Sequence, residues 1–102
     1  MNDLPIACNL TARELARRTS ELLPGLIVDA DERQPVPGGF RWRFTGASGL
    51  LERMATVIAA ERGCCPFLRF RVEVEPANGP IWLEVTGPEG TAAFLTRHLL
   101  ST

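Results

Sequence analysis

Glu61-Arg62-Gly63-Cys64-Cys65-Pro66-Phe67-Leu68-Arg69-Phe70 is the stretch on which the reading of this chain turns. On its upstream side Leu51, Met54, Val57 and Ile58 recur at helical spacing, and the same stripe runs on to Glu61 and then to Cys64 or Cys65. This predicts a helix over about residues 49–63, with Ser48 as its N-cap. Gly63 and Pro66 are stop signals, because glycine accepts the left-handed cap and proline cannot donate to the helical ladder. Downstream, Phe70, Val72 and Val74 alternate with Arg69, Arg71, Glu73 and Glu75, the period-two signature of a strand. The stretch therefore ends a helix, sets two thiols side by side and opens a strand.

Working outward, residues 76–80 (Pro-Ala-Asn-Gly-Pro) form a turn, and Ile81, Leu83 and Val85 alternate with Trp82, Glu84 and Thr86 as the partner strand. Thr86-Gly87-Pro88-Glu89 reads as a capping box with an early proline, opening a helix over about 88–100 that turns Leu95 and Leu99 inward. His98 falls near its end, where a cation suits the helix dipole. Toward the N-terminus, Phe40, Trp42 and Phe44 alternate with Arg41 and Arg43, and residues 35–39 make a Pro/Gly turn. Residues 26–33 read as a strand, and Thr11 with Glu14 caps a helix over 12–23 that Pro24-Gly25 stops. Leu4, Ile6, Cys8 and Leu10 share one parity and predict a first strand with Cys8 on its apolar side.

The resulting order predicts an α+β protein: a ferredoxin-like βαββαβ core with an added edge strand and a C-terminal helix. Its antiparallel sheet would place the fourth strand beside the first, then the third, then the second. In that topology the end of the first strand and the end of the second helix lie at one pole, which brings Cys8 to Cys64 and Cys65. A chain of 102 residues, 45% apolar and 23% charged, is expected to be one domain over residues 1–102. A net charge of −1 offers no basic field for nucleic acid or an anionic membrane. No apolar run approaches the roughly 20 residues of a membrane span, and the start carries no basic region before an apolar stretch, so a cytoplasmic location is expected.

Three cysteines, two of them adjacent, do not make the even, spaced set of a disulfide framework. Adjacent residues cannot bridge each other without a strained ring, so the thiols are expected to be reduced. Cys8 precedes a helix start, and Arg62 and Arg69 flank the pair, all of which favour thiolate. Thiolates select soft ions, and the residues that would hold one are Cys8, Cys64, Cys65 and, one turn earlier, Glu61. The ion would be Hg(II), Zn(II), Cu(I) or As(III). Glu61 would act as a fourth ligand, a hydrogen-bond acceptor or a proton acceptor. The plainer readings stand beside these: cysteine is a common core filler, and Glu61 can pair with an arginine or reach solvent. Adjacent cysteines also depart from the C-x₂₋₄-C spacing of a structural zinc site.

The pattern Glu61-x-x-Cys64-Cys65-x-Phe67-Leu68-x-Phe70, followed by Gly79-Pro80-Ile81-x-Leu83-x-Val85-Thr86-Gly87-Pro88, resembles a family of short bacterial proteins associated with mercury and heavy-metal resistance loci. The resemblance extends to Leu4-Pro5-Ile6-Ala7-Cys8 and Leu23-Pro24-Gly25. It implies thiol-based handling of Hg(II) or a similar ion by Cys8, Cys64 and Cys65, and it implies no catalytic residue.

Two other classes compete. The polar sheet face, with Arg41, Arg43, Arg69, Arg71, Glu73, Glu75, Trp82 and Glu84, suits a homodimer interface or an RNA platform. RNA recognition needs stacking aromatics, which Trp82 alone supplies, and cross-strand charge pairing explains the same residues without a partner. A thiol redox enzyme would need a Cys-x-x-Cys dithiol near a helix start, whereas this pair lies at a helix end. The expectation is a binding protein rather than an enzyme.

Overall fold

Two short turns and one long helix set the architecture. In the computed structural model, residues 23–46 and 48–97 are described. In chain order these form α1 (Leu23–Ile27), β1 (Glu32–Val36), β2 (Gly39–Phe44), α2 (Leu50–Cys64), β3 (Arg69–Val74), β4 (Ile81–Thr86) and α3 (Thr91–Leu95). Pro37 and Gly38 close the first hairpin; proline presets the first turn position and Gly38, at φ +84°, takes the left-handed second one. In the second hairpin Ala77 and Asn78 both have positive φ, and the Glu75 N–H donates to the Pro80 carbonyl at 3.1 Å. Such short loops force each strand pair to be antiparallel neighbours.

The four strands form an antiparallel sheet in the order β1-β2-β4-β3. Because β2 and β3 both run antiparallel to β4, they are parallel to each other, with α2 as the connection between them. This is a split β-α-β unit with β4 inserted.

That order differs from the expected ferredoxin-like one. Both edges of β2 are taken, by β1 and β4, so no first strand can pair with it in the expected place. The strand expected as an added edge, β4, lies inside the sheet instead. Its apolar side explains this: Ile81, Leu83 and Val85 are all buried, which demands cover that an edge does not have. β3, rich in Arg and Glu, suits the edge, where Val72 and Val74 remain 40% and 54% exposed.

One face of the sheet carries Phe40, Trp42 and Phe44 from β2 beside Ile81, Leu83 and Val85 from β4, in register across the ladder. Leu23, Leu26, Met54, Val57, Phe67, Phe94 and Leu95 complete that core. The strand expected over residues 26–33 begins later, and Leu23–Ile27 is helical. Pro24 sits at the second described position of that helix, where a missing N–H costs little, so the dipeptide read as a stop belongs to a helix opening. The expected caps do not form: α2 starts from Gly49 and α3 from Gly90, both left-handed and without a side-chain cap. The buried stripe of α2 runs through Leu50 rather than Leu51. The predicted strand at 4–10, the helix at 12–22 and the end of the last helix fall outside the described residues. Among the described residues no helix is long and apolar enough to cross a membrane.

Candidate metal centre

The buried positions of α2 are Leu50, Met54, Val57, Glu61 and Cys64, spaced alternately four and three apart along one side of the helix. Glu61 thus sits where an apolar residue would be expected, and it is only 4% exposed. Its carboxylate is satisfied inside the protein. The Leu23 N–H of α1 donates to Glu61 Oε2 at 2.8 Å, a buried contact between residues 38 positions apart. Arg53 secures the same pair of helices, pairing with Asp29 and donating to the Gly25 carbonyl at 2.7 Å.

Helical geometry ends at Cys65, the C-cap, with φ −128° and ψ 77°. Its N–H still donates to the Glu61 carbonyl at 2.6 Å. Consecutive helical side chains diverge by about 100°, so two adjacent helical cysteines would point apart. The break at Cys65 turns its side chain back, and the two Sγ atoms lie 3.5 Å from each other, both buried. The Leu68 N–H then closes a turn onto the Cys65 carbonyl at 3.2 Å, and buried Phe67 meets the Phe94 ring edge-on at 5.0 Å. Pro66 and the two phenylalanines hold the chain end against the core.

Ligand atoms of Glu61, Cys64 and Cys65 all lie within 4.8 Å of one another. At a metal–sulfur bond of about 2.3 Å, a 3.5 Å sulfur separation corresponds to an S–M–S angle of about 100°. That bite suits a three- or four-coordinate ion better than a linear one, which would need sulfurs about 4.6 Å apart at the same bond length. Glu61 stands ready as the oxygen donor.

The two cysteines differ in state. Cys65 is a free thiol. Cys64 is disulfide-bonded, which corrects the expectation that every thiol is reduced. The odd cysteine count ruled out a framework and adjacency ruled out a bridge within the pair, but neither bears on a bridge from one of the pair to a distant cysteine. Cys65 departs from expectation as well. Burial pushes its thiol up from 9.0 to about 12, reinforced by the negative charge of Glu61 and by the hydrogen bond the thiol donates to that carboxylate. Arg62 and Arg69 are exposed and are not what acts on it. Cys8 and His98 lie outside the described residues.

Sequence reasoning brought Glu61, Cys64 and Cys65 to one place correctly, since they lie within five positions of each other. It missed the Leu23 backbone amide, for which no local signal exists.

The opposite face of the sheet is a lattice of paired polar groups. Arg41 stacks over Trp82 at 4.1 Å and donates to Gln34 at 2.8 Å. Arg71 faces Glu84 at 3.7 Å, and Arg43 meets Asp31 at 2.9 Å. A hydrogen bond from the Thr45 hydroxyl, and then Arg43, hold the Asp31 carboxyl below its ordinary range. These charges are answered across the strands, as the plainer sequence reading expected.

Compared with protein families, with curated proteins and with solved structures, the chain matches none.

Proposed function

We propose that this protein binds a thiophilic metal or metalloid ion, with Cys64, Cys65 and Glu61 as ligands and Cys8 as a further thiolate. The observation that carries this reading is the buried Glu61–Cys64–Cys65 group, whose ligand atoms lie within 4.8 Å. A carboxylate and two sulfurs sharing one dry corner are costly to keep as filler, and they match the soft-ion preference of thiolates. The angle set by the sulfur pair favours three- or four-coordinate binding of Hg(II), Zn(II), Cu(I) or As(III) over linear binding. The resemblance to proteins of mercury-resistance loci points the same way, to sequestration or handover in the cytoplasm rather than catalysis.

The test is a titration of the reduced protein with Hg(II) and, separately, Zn(II), against a competing thiol. One ion per chain is expected. Cys64→Ser and Cys65→Ser should each abolish tight binding, Cys8→Ser should weaken it, and Glu61→Gln should weaken it most for Zn(II). Equal affinity in all variants would remove the reading.

A second reading rests on Val72 and Val74, the exposed apolar pair on edge strand β3. It makes the sheet an interface between two copies of the chain. Sedimentation at rising concentration, with Val74→Lys as control, decides it: a monomer throughout dismisses the dimer.

A further inference from the structure

We infer that the ion site is gated by disulfide exchange: Cys64 is withheld in a bond to Cys8, and reduction of that bond opens the site. The inference rests on the binding function proposed above and adds the condition under which binding occurs. The chain has three cysteines. Cys65 is free and Cys64 is disulfide-bonded, which leaves Cys8 for Cys64 by count. A sulfur in a disulfide has no thiolate to offer, so in this form the corner presents one thiol and one carboxylate. One thiol and one carboxylate are a poor trap for a soft ion, because the chelate formed by two sulfurs 3.5 Å apart is missing.

The reductant is a dithiol, of the class that small redox proteins or dithiothreitol supply. One of its thiolates attacks the disulfide and forms a mixed disulfide, releasing one protein sulfur as a thiol. Its second thiolate then closes the dithiol's own disulfide and releases the other. Two electrons and two protons pass from the dithiol to Cys8 and Cys64, and no other reactant is needed. Cys64 is then a thiol beside Cys65 and Glu61, and an arriving ion displaces the thiol protons to solvent. Linkage makes the gate reciprocal: an ion held on Cys64 opposes re-formation of the disulfide. A site of this kind stays closed in an oxidising medium and takes up its ion where thiols are kept reduced.

The experiment compares three samples of the full-length chain: the oxidised protein, the same protein reduced with dithiothreitol and desalted without air, and unreduced Cys8→Ser. Each is offered Hg(II) with excess glutathione, and the ion retained after gel filtration is counted. The oxidised protein should retain none and the reduced protein about one per chain. Cys8→Ser should retain the ion with no reductant, since its Cys64 has no partner to lock it. Thiol counting in denaturant provides a measurement that does not depend on the variant folding: one thiol before reduction and three after it. Three thiols without reduction, or equal retention by oxidised and reduced protein, overturns the gate and leaves the metal reading standing. Cys8→Ser that still needs reductant overturns the pairing. No retention by any sample while the thiol count rises from one to three overturns the metal reading itself, and the gate with it.

Discussion

Alkylation of Cys65 at pH 8 is expected to be slow in the native protein, and the amount follows from its surroundings. Its thiol is pushed from 9.0 to about 12, first by burial and then by Glu61. That three-unit shift cuts the thiolate population at pH 8 about 1,000-fold relative to an unperturbed cysteine. A more basic thiolate is also a better nucleophile, which returns roughly 15- to 30-fold. The native thiol should therefore react at least about 30-fold more slowly than the same residue in urea, before steric protection is counted. Timed iodoacetamide labelling with peptide mass analysis reads this directly, because the disulfide keeps Cys64 out of the reaction. The native rate should keep climbing tenfold per pH unit through pH 10, with no plateau near 9. Glu61→Gln removes the charge and weakens the acceptor but leaves the burial, so it should accelerate labelling several-fold without reaching the urea rate. A plateau near pH 9, or a Glu61→Gln rate equal to that of the parent, would refute this account of the site.

The same shift makes stability depend on alkaline pH. The folded thiol holds its proton more tightly than the unfolded one, so its contribution is fully present below pH 9.0 and is lost as pH rises toward about 12. The ceiling is about 4 kcal/mol, and urea unfolding at pH 8 and pH 10.5 should show the decline, which Cys65→Ala should flatten. Leu83→Ala, at a fully buried position in the central strand, should cost 2–5 kcal/mol in the same assay, in the range for large-to-small core changes. Gly39→Ala should cost more than about 2 kcal/mol, because a Cβ there would sit 2.0 Å from the Val85 carbonyl oxygen and force β2 from β4. Arg41→Ala should cost no more than about 1 kcal/mol, since its stacking on Trp82 lies on the solvated face, and thermal unfolding will show whether it does.

Local patterns were legible in the sequence because they obey local rules. The alternation of Phe40, Trp42 and Phe44, and of Ile81, Leu83 and Val85, announces strands whose apolar side must be covered, and both form as expected. The helix ending at the cysteine pair was equally readable, since its stripe and its stop lie within twenty positions. Caps were less so: Ser48 and Thr86 have the right chemistry, but Gly49 and Gly90 take the left-handed turns that lead into the helices. Propensity for a cap is weak beside the direction the chain must take to reach the core.

What the sequence by itself determined is the set of elements, their apolar sides and the meeting of Glu61, Cys64 and Cys65 at one helix end. Only the tertiary structure decided that β4 lies inside the sheet, that Glu61 accepts from an amide 38 positions away, and that Cys64 is bridged while its neighbour stays free. Periodicity reports which side of an element avoids water. It carries no information about which other element supplies the cover, because that choice is made by the whole chain competing for the same buried face.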